Sequence, residues 1–92
     1  MKLEWDNAKR EKTLKDRGLD FADVNAADWA AALTREDTRN EYGELRYVSF
    51  VPIHDRLCVI VWCYRGAGLR VISLRKANKK EASRYEKIIH QG

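Results

Sequence analysis

Arginine at both ends of an apolar strand, with a basic helix directly after it, is the pattern in this chain that carries most chemistry. Arg70-Val71-Ile72-Ser73-Leu74-Arg75 leads into Lys76, Ala77 and a helical stretch from Asn78 to Lys87. Residues 65–87 hold eight Lys or Arg against two Glu. Fixed positive charge at this density, set on regular structure, suits a polyanion, and RNA is the first partner to consider. A guanidinium group binds phosphate bidentately and stays charged at any working pH. Several of them around one phosphate would stabilise the extra charge of a phosphoryl-transfer transition state, a role that needs no metal. Lys9, Arg46, Arg65, Arg70 and Arg75 stand near strand ends or at a helix start, where side chains can converge on a cleft. They form the candidate catalytic set. Lys76, Lys79, Lys80, Arg84 and Tyr85 are the candidates for holding the rest of an RNA strand. Strand alternation raises one difficulty. Arg70 shares a face with Ile72 and Leu74, and Arg75 with Val71 and Ser73, so the two meet one phosphate only if a bulge or strong twist intervenes.

Other chemistry is poorly served. There is no phosphate-binding glycine loop, no Ser-centred elbow and no zinc signature, so neither a cofactor nor a metal is expected. His54 lies in an expected turn and His90 two residues from the end, both surface positions. Proton transfer then falls to Lys9, Glu81 or Tyr85, or to the RNA and water. Tyr42, Tyr47 and Tyr64 could stack on bases, although aromatic residues in strands usually pack. Cys58 and Cys63 lie five apart in one strand, so alternation sends them to opposite faces. They read as reduced, buried thiols.

The chain is 92 residues with a net charge of +4 and 45% apolar content, the profile of one small globular domain spanning residues 1–92. The charge is uneven: residues 1–46 hold nine basic and eleven acidic side chains, residues 47–92 nine and three. Residues 20–44 alone hold seven acidic and two basic side chains, which makes that segment ill suited to RNA. The N-terminal residues have no apolar run of signal-peptide type. The longest apolar run, Leu57 to Tyr64, is too short to span a bilayer, so no membrane is expected and the default compartment is the cytosol.

Several elements must position these residues. Lys2–Trp5 reads as a strand, with Asp6 capping a helix from Asn7 to Arg17 that ends at a left-handed Gly18. Asp20 caps a second short helix, with Leu19 and Val24 spaced as a hydrophobic staple. Trp29–Thr34 is a strand candidate, although Ala30-Ala31-Ala32 suits a helix equally, and the polar residues Arg35–Glu44 read as a loop. Leu45–Val51, Leu57–Tyr64 and Leu69–Arg75 are strands, joined by turns at Pro52–Arg56 and Gly66-Ala67-Gly68. Leu57–Tyr64 is apolar on both sides and should be central. Asn78 with Glu81 matches a capping box for the last helix, whose apolar stripe is Ala82, Tyr85 and Ile89. The expected class is α+β: a small antiparallel sheet packed with two N-terminal helices and one C-terminal helix on one face.

Five stretches, taken in order, resemble the BrnT family of ribonuclease toxins from bacterial type II toxin–antitoxin systems. They are Trp5-Asp6-x-x-Lys9, Gly18-Leu19-x-Phe21, Asp37-x-Arg39-x-x-x-Gly43-Glu44-x-Arg46-Tyr47, Arg70-Val71-Ile72-Ser73-x-Arg75-x-Ala77 and Glu81-x-x-x-Tyr85. The resemblance implies a RelE-like fold and an RNA-cleaving activity that inhibits translation. It also implies a BrnA antitoxin with a ribbon-helix-helix DNA-binding part, dimer-based toxin–antitoxin complexes, and DNA contact only through the antitoxin. The family's basic positions fall on Lys9, Arg46, Arg65, Arg70 and Arg75. Two positions depart from the pattern: Asn7 stands where Pro is usual, and Arg17-Gly18 where His-Gly is frequent. The leading expectation is a metal-independent endoribonuclease. The alternative is a non-catalytic basic module that binds RNA or protein.

Overall fold

A computed structural model describes residues 2–91 of the chain. Five strands form one mostly antiparallel sheet: β1 (Leu3–Trp5), β2 (Leu33–Glu36), β3 (Tyr47–Ile53), β4 (Arg56–Arg65) and β5 (Gly68–Lys76), in the spatial order β1-β5-β4-β3-β2. Helices α1 (Asn7–Arg17) and α2 (Lys79–Ile89) and two short 3₁₀ helices (Phe21–Ala26 and Trp29–Ala31) complete the α+β architecture. The central strand is β4, as its two apolar faces require: Cys58, Val59 and Ile60 are all buried in succession.

The helix signals act as read. Asp6 accepts from the Lys9 amide, Gly18 takes φ 68° and donates to the Leu14 carbonyl, and Asn78 and Glu81 cap α2 reciprocally. Asp20 and Asp23 form a second capping box, and the staple pair Leu19 and Val24 is buried. This end of the first 3₁₀ helix is pinned to α1 by a bidentate pair, Arg10 to Asp20 at 2.7 and 2.9 Å.

Four local expectations need correction. The sheet is not wholly antiparallel, because β1 lies parallel to β5, with Leu3 opposite Leu69. Gly68 permits this approach: a Cβ there would stand 2.5 Å from the Lys2 carbonyl oxygen, which accepts from the Leu69 amide at 2.9 Å. Only Gly66 of that turn has positive φ, so Gly68 serves a strand contact rather than a turn. Residues Trp29–Ala31 are helical, and the strand begins at Leu33 and runs into the expected loop to Glu36, where Thr34 and Ser49 join hydroxyls at 2.7 Å. Strand β3 continues through Pro52, which was expected in the turn. The Pro52 carbonyl points away from β4, toward the Asp28 amide, so its missing N–H faces the side where β2 has already ended.

One face of the sheet carries Val51, Ile60, Trp62, Leu69, Val71 and Leu74 and packs under Leu19, Phe21 and Val24. The other face carries Val48, Phe50, Val59, Val61 and Arg75. Helix α2 meets that second face instead of joining the helices on the first: Glu81 clamps Arg75, and Tyr85 and Ile88 lie beside Leu33 and Phe50. Alternation places Cys58 in the first-face core and Cys63, opposite Arg70, on the second. Both are free and buried.

Candidate active site

A bulge in β5 sets the geometry of the site. Val61 pairs with Ser73, but Trp62 pairs with Val71, leaving Ile72 as the extra residue. The insertion reverses the alternation. Arg70 opposite Cys63 and Arg75 opposite Val59 therefore stand on the same sheet face, although their spacing of five puts them on opposite faces of a regular strand.

Four of the five candidate cations, Lys9, Arg46, Arg65 and Arg70, line one cavity of about 210 Å³, together with Asp6, Glu44, Val71 and Ile72. They come from the first turn of α1, the segment before β3, the end of β4 and the start of β5. The basic residues are cross-braced by carboxylates. Glu44 bridges Arg46 and Arg65, each at 3.3 Å. Glu4 bridges Arg65 at 3.6 Å and Arg70 at 3.1 Å. The Cys63 thiol, then the Arg65 and Arg46 guanidinium groups, hold the Glu44 carboxyl below its usual range. Burial pushes the Cys63 thiol up, and Glu44 adds to that shift.

The fifth cation does not join them. Arg75 lines a neighbouring cavity of about 300 Å³ with Ser73, Glu81, Arg35 and Arg39. Its two Nη atoms donate to Glu81 at 2.8 Å each, and these bonds pull Glu81 down to about 2. Glu81 is thus a poor proton acceptor near neutral pH and lies outside the first cavity. Tyr85, expected to contact RNA, is buried, and its hydroxyl donates to the Ala31 carbonyl at 2.6 Å. It fixes α2 to the second 3₁₀ helix. Lys76, Lys79, Lys80 and Arg84 are exposed. His54 is exposed in the β3–β4 turn, and His90 pairs with Glu86 on the surface of α2.

The sequence reading passed over the loop that delivers Arg46. Asp37 is 6% exposed. It accepts from the Arg39 amide and, bidentately at 2.8 Å, from the Arg39 guanidinium; the Tyr42 hydroxyl donates to it at 3.2 Å. Arg39 holds the Asp37 carboxyl well below the usual carboxylate range. The Asp37 amide donates to the Arg46 carbonyl at 2.7 Å, closing the loop. The Tyr42 ring then carries the Arg46 guanidinium at 4.0 Å. Tyr42 therefore supports an arginine and does not offer that face to a base. Tyr47 and Tyr64 pack on Trp62. A net charge also proves a poor guide to faces: the acidic segment 20–44 supplies Arg35 and Arg39 to the same side of the sheet as Arg75.

Both departures from the family pattern have local explanations. Asn7 Oδ1 accepts from the Trp5 indole N–H at 3.2 Å, and Arg10 lies over the Trp5 ring. Arg17 donates to the Leu74 carbonyl at 2.8 Å, tying the end of α1 to β5 outside the cationic cavity. Among the described residues, no group of three His, Cys, Asp or Glu side chains is arranged as a metal site. No helix is long and apolar enough to cross a membrane. None of the curated proteins compared with the chain matches it. A family model does, over residues 5–81, described as the ribonuclease toxin BrnT of a type II toxin–antitoxin system. That span includes every residue of the cationic cavity, and the chain belongs to the BrnT family of ribonuclease toxins.

Proposed function

We propose that the chain is a metal-independent endoribonuclease toxin that arrests translation by cutting RNA at the Lys9–Arg46–Arg65–Arg70 cavity. The observation that carries this reading is the convergence of four cations from separate parts of the chain on one cavity. In this mechanism the ribose 2′-oxygen attacks the adjacent phosphorus, and the bond to the 5′-oxygen breaks. The products are a 2′,3′-cyclic phosphate and a 5′-hydroxyl. Arg46, Arg65 and Arg70 stabilise the charge that builds on the phosphoryl oxygens. Glu4, beside the cavity and within reach of it through its pairs with Arg65 and Arg70, accepts the 2′-proton. Lys9 binds the phosphate or donates a proton to the leaving 5′-oxygen. Glu44 keeps Arg46 and Arg65 in place.

Membership of a type II toxin–antitoxin family implies an antitoxin partner and an RNA substrate. Our finer reading is a BrnA-like antitoxin with a ribbon-helix-helix DNA-binding part, dimer-based complexes, a RelE-like toxin fold in a single domain, and a cytoplasmic site of action. The test is cleavage of RNA by purified protein in excess EDTA, with analysis of the ends. The expected result is 5′-hydroxyl product, growth arrest on expression alone, and loss of about 10²–10³ in rate for Arg70→Ala. No cleavage with or without ribosomes would favour a non-catalytic basic module that binds RNA or protein.

A further inference from the structure

A second group of arginines stands on the same sheet face, outside the cavity of Lys9, Arg46, Arg65 and Arg70. Arg35, Arg39 and Arg75 line one recess on the sheet, over a floor of Val48, Phe50 and Val61. Their carboxylate partners lie beneath them. The Asp37 side chain is 1% exposed and Glu81 is 20%, whereas Arg39 is 68% and Arg75 is 43%. Arg35 has no ion pair among the described residues and sits 6.0 Å from the Phe50 ring centre. The surface offered to a ligand is therefore guanidinium edges held from behind, the arrangement that favours bidentate phosphate recognition. Among the described residues, Arg39 Nη1 and Arg75 Nε have no hydrogen-bond partner. The hydroxyl-bearing residues Ser73 and Thr38 line the same recess.

The recess and the first cavity are linked by the bulge. Arg70 and Arg75 lie opposite Cys63 and Val59, four steps apart on β4, which is about 13 Å at ~3.3 Å per residue. A stacked strand rises ~3.4 Å per nucleotide. Arg75 is clamped to Glu81 in its own recess, so the two arginines suit different phosphates, and a strand of about four stacked nucleotides, or a shorter one if extended, spans both.

We propose that Arg35, Arg39 and Arg75 form a second phosphate subsite, so that the substrate is a single-stranded oligonucleotide laid across the open sheet face with its scissile phosphate at Arg70. This rests on the reading of the Arg70 cavity as an RNA-cleaving site, and it assigns Arg75 to holding the strand and not to the reacting phosphate. Non-cleavable 2′-O-methyl oligonucleotides of two and eight nucleotides are the probes, titrated against the full chain at several salt concentrations. Arg35→Gln should weaken binding of the eight-nucleotide probe about tenfold and lower its salt slope by ~0.7, the loss of one neutralised phosphate on a single strand. Binding of the two-nucleotide probe should not change. Arg75→Gln paired with Glu81→Gln removes both partners together and should act in the same way, without an orphaned buried carboxylate. Equal loss at both lengths, or no loss at eight, overturns the subsite. Arg65→Gln separates the two readings. If it leaves both RNA cleavage and binding of both probes unchanged while Arg35→Gln weakens binding of the longer one, the cavity assignment fails and the subsite stands.

Discussion

Replacing Tyr42 separates two jobs that this side chain does at once. Its hydroxyl donates to Asp37 and accepts an exposed bond from Asn40 at 3.1 Å, and its ring supports the Arg46 guanidinium. At 3.2 Å the hydroxyl bond is long, and Asp37 keeps three bonds from Arg39 without it. Tyr42→Phe should therefore cost only ~0.5–1 kcal/mol of stability. For a domain of this size that is a fall of about 3–6 °C in Tm. The Phe ring keeps its place under Arg46, so cleavage should stay near normal. Tyr42→Ala removes the ring as well. A cation–π contact at a partly exposed site is worth about 1–2 kcal/mol. The remaining tether of Arg46 within the cavity is a 3.3 Å pair with Glu44. An arginine loosened by that amount should lower kcat about tenfold, since ~1.4 kcal/mol of barrier is one decade. The assay is steady-state cleavage of a short RNA, with thermal melts of the same preparations. Phe should shift Tm with little change in kcat, and Ala should lower both. Equal kcat for Phe and Ala would refute the idea that the ring positions Arg46.

Three further outcomes follow from the same geometry. Gly68→Ala would force a methyl against the Lys2 carbonyl at 2.5 Å; it should displace β1, lower Tm, and expose the amides of residues 3–5 and 69–71 to faster hydrogen exchange. Glu81 has its pKa depressed to about 2 by Arg75, and Asp37 is depressed by Arg39. Both contribute stability that is full above the ordinary carboxylate range and is lost as pH falls through the folded values, so urea midpoints should drop between about pH 4.5 and 2 and the Glu81→Gln chain should lose less over that window. An acidic antitoxin segment that covers the cationic face should slow its association as salt rises and protect residues 46–50 and 70–76 from exchange; protection confined to residues 7–32 would place the antitoxin on the helical side instead.

The parts of the fold legible in the sequence are those set by near neighbours. Asp6, Gly18 and the Asn78–Glu81 pair mark helix ends because a cap needs only residues three or four positions away. The double-faced apolar run of β4 requires cover on both sides, so its central place follows. The misses all depend on distant chain. Gly68 has the ordinary look of a turn glycine until β1 arrives beside it from the other end of the chain. Residues 35 and 36 are polar on every count, and only pairing with β3 makes them strand. The bulge at Ile72 has no signature in its own residue type, yet it decides which arginines share a face. The Asp37 clamp was hidden for a related reason: a buried carboxylate with an arginine two residues on looks like any charged loop until its burial is known.

The ion pairs themselves sort by length, and the sorting bears on how a cavity already holding carboxylates can accept a polyanion. Arg10–Asp20, Arg39–Asp37 and Arg75–Glu81 close at 2.7–2.9 Å and are bidentate. Each ties one element to another or shapes a loop. The pairs in and beside the first cavity run from 3.1 to 3.6 Å, each a single looser contact between guanidinium and carboxylate. A bidentate clamp leaves a guanidinium fixed, with little reason to move. A loose single contact in a partly exposed cavity contributes little stability, and leaves most of the five N–H donors of each arginine for another acceptor. A phosphate entering there would meet Arg46, Arg65 and Arg70 already gathered, and would replace contacts that are weak. The carboxylates thus keep like charges together without holding them so tightly that a stronger acceptor is refused.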